Sequence, residues 1–154
     1  MKHLAPVLLG FLAAAPASAQ VVPIPRSDFE EAAAQYRSYA LAEFNAVVAQ
    51  WVGAINAGSP DRAARLYTGD AYLDLGQPAR GREAVEHLLE SWGGDIRHIE
   101  VGLSDFDASG NMSYGTLHIR VSPLDGRPRS GVLLLVMRKE GRTWRIRAQT
   151  LTLD

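Results

Sequence analysis

The stretch that decides the fold is residues 96–153, IRHIEVGLSDFDASGNMSYGTLHIRVSPLDGRPRSGVLLLVMRKEGRTWRIRAQTLTL, because apolar residues recur in it at every second position. A period of two is the mark of strands with one face toward a core. Four strands are expected: Ile96 to Phe106, Met112 to Val121, Ser130 to Arg138 and Thr143 to Leu153. They are separated by residues 107–111, 123–128 and 140–141, all rich in Gly, Asp, Asn or Pro and all short enough for hairpins. The four should form an antiparallel meander. Within the third, Leu134 and Leu135 are neighbours in an unbroken apolar run, so one points into the core and the other to the opposite face. That second face then calls for a cover, either a helix or a partner subunit.

Working back from Ile96, the period lengthens to that of helices. Phe29, Ala33, Tyr36, Ala40, Phe44, Val47, Trp51 and Ile55 recur at spacings of three and four, which predicts one long helix from Ser27, its N-cap, to near Gly58. A second, short helix starts with Ser59 as cap and Pro60 at its first position, and runs through Ala63, Ala64, Leu66 and Tyr67 to Gly69. Ala71 to Leu75 is a brief strand and residues 76–81 a loop. Arg82 to Trp92 is a third helix, with Val85, Leu88, Leu89 and Trp92 inward and Gly93-Gly94 as its stop. The expected class is α+β: three helices over one face of a curved antiparallel sheet, in a single domain over residues 27–154.

Residues 1–19 are read as a signal peptide and kept out of the fold. Lys2 and His3 precede an apolar run from Leu4 to Ala15, and Ala17-Ser18-Ala19 makes a small-residue cleavage box before Gln20. The run is too short for a membrane span, which needs roughly 20 residues. A periplasmic or secreted protein without a membrane anchor is therefore expected, with residues 20–26, which hold Pro23 and Pro25, as an extended leader. The 154 residues carry 16 basic and 17 acidic side chains, which argues against nucleic acid as a partner. With no cysteine, thiol nucleophiles, disulfides and Cys-ligated metals are excluded. Neither a Gly-x-Ser-x-Gly elbow nor a glycine-rich phosphate loop occurs.

Four blocks, taken in order, resemble the nuclear transport factor 2-like superfamily, with the SnoaL-like and ketosteroid-isomerase-like proteins nearest. They are WVGAINAGSPD (residues 51–61), ARLYTGDA (64–71), GREAV (81–85) and GRTWRI (141–146). The resemblance implies a cone-shaped, highly curved antiparallel sheet and three helices enclosing an apolar pocket, frequently in a homodimer. The helix position similar to the isomerases' catalytic tyrosine is Trp51, which donates only through an indole N–H. The position similar to their base is Leu75, with Asp74 beside it on the other face of a strand. Their acidic oxyanion donor should fall within Val132 to Arg138, where this sequence has only Val, Leu and Met before Arg138. GTLH (residues 115–118), followed by GRPRSG (126–131), is similar to the strand and hairpin that carry the pocket histidine of SnoaL-like cyclases, which points to His118.

Two sets of site residues follow. His118 and Asp74 are the candidate catalytic pair, since an imidazole with an ordinary pKa near 6.5 serves as acid or base at neutral pH. Trp51, Tyr67, Leu75, Trp92 and Tyr114 are the candidate ligand-binding residues. No metal site is expected, because His87, His98 and His118 lack close ligand spacing, and no cofactor is implied. The missing carboxylate pair favours a pocket protein that binds a small apolar or amphipathic molecule without catalysis. The alternative is a cofactor-free isomerase, cyclase or dehydratase working through His118.

Overall fold

A computed structural model describes residues 26–154. The expected signal peptide lies outside the described residues, as does the leader except for Arg26. The chain runs α1 (Arg26–Asn56), α2 (Pro60–Ala64), β1 (Tyr67–Asp74), β2 (Pro78–Arg80), α3 (Arg82–Gly94), β3 (Ile96–Ser109), β4 (Met112–Pro123), β5 (Arg129–Glu140) and β6 (Thr143–Leu153). The sheet order is β2-β1-β6-β5-β4-β3. β3 to β6 form the antiparallel meander that the period of two predicts.

Three local expectations are corrected. Tyr67 opens β1 and does not close α2, because its backbone enters the sheet beside Ile146. β1 pairs with β6 in parallel, so the sheet is mixed. Within residues 76–81, read as a loop, Pro78–Arg80 form a three-residue strand against β1. Composition hid that strand. Its turn is made by Gly76 at φ +98° and by the Asp74 carboxylate, which accepts the Gly76 N–H at 2.9 Å.

Helix α1 lies across the inner face of the sheet and seals its β3 edge. Ala40, Phe44, Val47, Val48, Trp51, Ala54 and Ile55 are buried, one stripe at helical spacing. The Asn56 amide donates to the Ile99 carbonyl at 3.0 Å and accepts the Ile99 N–H at 2.7 Å, and Arg37 donates to the Phe106 carbonyl at 2.7 Å. Edge groups that would otherwise recruit another strand are thus occupied. Tyr36 donates to the Gly110 carbonyl at the β3–β4 turn. Upstream of it the apolar stripe is not buried: Phe29 is 69% exposed. The helix approaches closely because β4 has glycine at 115, where a Cβ would overlap the Phe44 ring. Phe44 in turn meets Phe106 edge-on, with centroids 5.2 Å apart.

Alternation then fills the cone. Leu117, Leu133, Leu135, Met137 and Ile146 face inward from the sheet, and Val85 and Leu89 from α3, all within 1% of full burial. Leu135 is the inward member of its pair, whereas Leu134 is 40% exposed on the outer face.

Candidate functional site

The inside of the cone holds a short polar chain in an apolar wall. Trp51, on the buried stripe of α1, donates its indole N–H to the Tyr67 hydroxyl at 3.0 Å, and that hydroxyl donates to Gln149 Oε1 at 2.7 Å. All three side chains are essentially inaccessible to water. Gln149 reaches this place because β6 carries a bulge: Met137 pairs with Ile146 but Val136 pairs with Ala148, so Arg147 is the extra residue. Without the bulge, strict alternation from Ile146 would put Ala148 inside and Gln149 outside. The Gln149 Nε2 group has no hydrogen-bond partner among the described residues.

Burial pushes the Tyr67 hydroxyl well above its ordinary pKa, and the hydrogen bond from Trp51 opposes this only in part. Tyr67 is therefore a neutral donor at any physiological pH. Among the described residues the other buried polar side chains are Thr68, Ser113 and Gln149, so the interior contains no carboxylate, imidazole or amine. This gives a pH prediction. The unfolded chain ionises Tyr67 above its ordinary value of 10.0, but the folded chain does not. The folded state then binds one more proton, so stability is intact below pH 10 and falls above it, by about 1.4 kcal/mol per pH unit for this one group. Denaturant unfolding of Tyr67→Phe between pH 8 and 11 should show a shallower alkaline loss than the unsubstituted protein.

Trp92, half-buried on α3, stacks on Trp51 with ring centroids 6.3 Å apart and planes 23° apart. Ile55 lies one turn beyond Trp51, and Leu89 one turn before Trp92. These two form the floor of a crevice of about 260 Å³ between the end of α1, α2 and the end of α3. Its rim consists of Gly58, Ser59, Pro60, Glu90, Gly93 and Gly94. The size is near the lower end for small-molecule sites, about 300 Å³.

The fold, a curved sheet wrapped on three helices, matches known structures over most of their length. A ketosteroid isomerase-like protein from Erwinia carotovora atroseptica is 16% identical, with 73% of this chain and 95% of that one covered at a TM-score of 0.64. An NTF-2 like protein of unknown function from Shewanella oneidensis is 14% identical, with 72% and 97% covered at 0.63. A protein of unknown function from Mycobacterium tuberculosis is 20% identical, with 75% and 72% covered at 0.65. The fold is that of the nuclear transport factor 2-like proteins. No family model and no curated protein matches the sequence.

Within this nuclear transport factor 2-like cone the candidate residues separate into two groups. Trp51, Tyr67 and Trp92 come together inside, and Leu75, half-buried just after β1, packs against the same core. Tyr114, His118 and Asp74 are on the outer face of the sheet. Tyr114 is 46% exposed and pairs with Val136. His118 is exposed between Gly102 and Val132, at an open depression shared with Glu100, Arg120, Ser130 and Asp154. Asp74 pairs with Thr150 and spends its carboxylate on Gly76 N–H and, at 3.3 Å, on the Tyr72 hydroxyl. His118 and Asp74 share a face but are separated on it by β5 and β6. His87 and His98 lie beside Glu90 and Glu100, at 3.4 and 3.7 Å. Gln149 is the interior polar residue that sequence alternation misses, and only the position of the β6 bulge reveals it.

Proposed function

We propose that this protein binds a small, neutral, apolar molecule at the crevice between α1, α2 and α3 and performs no acid–base chemistry on it. The observation that carries this reading is the lining of the crevice: its buried floor is the apolar pair Ile55 and Leu89, its one titratable residue, Glu90, stands exposed at the rim, and among the described residues no carboxylate or imidazole is buried behind it. Proton transfer needs a titratable group within about 3 Å of the proton it moves. The crevice floor of Ile55 and Leu89 offers apolar area, and each of these residues lies one helical turn from a member of the stacked Trp51–Trp92 pair. A neutral ligand is favoured because an ion would lose its hydration with no buried counter-charge to meet it.

The test uses 2-naphthol as probe and quenching of indole emission as readout. One saturable site is expected. Gly93 lines the crevice and its Cβ position is free of contacts, so Gly93→Leu fills the space without disturbing the core. That change should weaken binding at least about tenfold, equivalent to about 1.4 kcal/mol. His118→Ala should leave binding unchanged. Binding that survives Gly93→Leu, or is lost in His118→Ala, would remove the crevice from the account.

A further inference from the structure

The crevice at Ile55 and Leu89 has almost no hydrogen-bond donor to offer a ligand, because the N–H groups of its wall are already engaged. Those of Ile55, Leu89, Glu90, Gly93 and Gly94 lie beyond the first turn of α1 or α3 and donate within the helix. The Gly58 N–H donates to the Ile55 carbonyl and the Ser59 N–H to the Ala54 carbonyl, both at 2.9 Å, and Pro60 has no N–H. The Ser59 hydroxyl leans on the Ala57 carbonyl at 3.5 Å. Among the described residues the lining contains no lysine, arginine, histidine or tryptophan.

Acceptors, by contrast, remain open. The crevice is built where two helices end: α1 closes at Asn56 and α3 at Gly94, and the last carbonyls of a helix have no N–H to meet within it. Neither last turn carries a basic side chain, so the partial negative charge at each terminus, about half an elementary charge, meets no cation of its own helix. Helix α2 starts at the same place with the opposite polarity, but it is a single turn that opens on Pro60 and carries Asp61. Its Arg62 and Ala63 N–H groups already donate to the Ser59 carbonyl, at 3.1 and 3.2 Å. The rim adds the full charge of Glu90. Its Oε2 lies 3.4 Å from His87 Nδ1, and among the described residues its Oε1 has no partner.

We propose, on the reading that this crevice is the binding site, that its ligand carries a hydroxyl or N–H donor at one end and that Glu90 is the residue that selects it. The apolar body of such a molecule lies on Ile55 and Leu89, and its donor reaches the rim, where Glu90 Oε1 accepts it in a charge-assisted hydrogen bond. An ether or ketone of the same shape finds only Ser59 to donate to it, so its oxygen loses water without a full replacement. A carboxylate meets two helix C-termini and Glu90, like charge on like.

Equilibrium dialysis at neutral pH against 2-naphthol, naphthalene and 2-methoxynaphthalene tests this, with crevice binding defined as the part that Gly93→Leu removes. Naphthalene lacks the hydroxyl, and the methyl ether keeps the oxygen without the donor. 2-Naphthol should bind about tenfold more tightly than either, a modest preference for a hydrogen bond to a charged group because the Glu90 side chain is 52% exposed. In Glu90→Ala the three should bind alike, and since Glu90 is exposed on α3 its replacement leaves the core untouched. 2-Naphthoate should bind the unsubstituted protein more weakly than any of them. Equal affinities for the three at a crevice that Gly93→Leu blocks overturn the donor selection alone. A preference that survives Glu90→Ala overturns the role of Glu90, and 2-naphthoate binding as tightly as 2-naphthol overturns the acceptor character of the rim. Binding that Gly93→Leu does not touch overturns the crevice itself and this inference with it.

Discussion

Replacing Leu135 with alanine is expected to cost about 2–5 kcal/mol of folding stability, as for other filled core sites. The same change at Leu134 should cost less than about 1 kcal/mol in the isolated chain, in the range of surface substitutions. The residues are adjacent and chemically identical, so the contrast isolates the face each occupies. Leu135 is fully enclosed by the cone and pairs with Gln149 across β6, whereas Leu134 is 40% exposed between Thr116 and Thr150. Urea unfolding of the two variants at one low protein concentration checks it. Equal losses would mean that the register of β5 is off by one residue.

Trp51→Ala should have the second large effect, about 3–5 kcal/mol, because the indole is wholly buried and its loss leaves a large cavity. Part of that cost comes from the polar chain. Tyr67 would lose the donor that meets its oxygen, while still donating to Gln149. Trp51→Phe keeps most of the apolar contact and removes only the N–H, and should cost about 1–3 kcal/mol, the penalty of an unsatisfied buried polar group. If Trp51→Phe is as stable as the unsubstituted protein, the Trp51–Tyr67 hydrogen bond contributes nothing and the polar chain is incidental.

The strands of the meander were legible from residues 96–153 alone, because one buried face imposes a period of two over ten or more residues. The helices were legible for the corresponding reason, with Pro60 at the first position of α2 and the buried stripe from Ala40 to Ile55 in place. What alternation cannot show is a break in alternation. The bulge at Arg147 comes from the pairing of β6 with β5 and carries no local signal, so strict alternation from Ile146 would place Gln149 outward. The parallel pairing of β1 with β6 joins segments some 80 residues apart, and no local pattern encodes it. The stripe of α1 was read too far upstream, since Phe29 and Ala33 keep the helical spacing but find no sheet beneath them.

The candidate site was legible in part for the same reasons. Trp51 and Tyr67 were visible as aromatic residues in positions of resemblance, and the structure adds that they are hydrogen-bonded to each other. His118 illustrates the opposite limit. Strand alternation correctly puts it on the face of Tyr114, Thr116 and Arg120, but alternation does not say which face the helices cover. That is decided by α1, through Asn56 on Ile99 and Arg37 on Phe106, contacts between segments more than 40 residues apart.

The three tryptophans provide the most direct measurement of the central claim, because each gives one indole N–H resonance in a nitrogen-15 spectrum. Trp51 and Trp92 are stacked on each other, one helical turn from the crevice residues Ile55 and Leu89, and Trp144 lies against Lys139, 5.9 Å from its ring, on the β5–β6 hairpin. On titration with 2-naphthol, the account predicts that the Trp51 and Trp92 resonances shift together to saturation while Trp144 and the His118 ring signals stay in place. Shifts confined to His118 and its outer-face neighbours, with Trp51 and Trp92 unmoved, would contradict it.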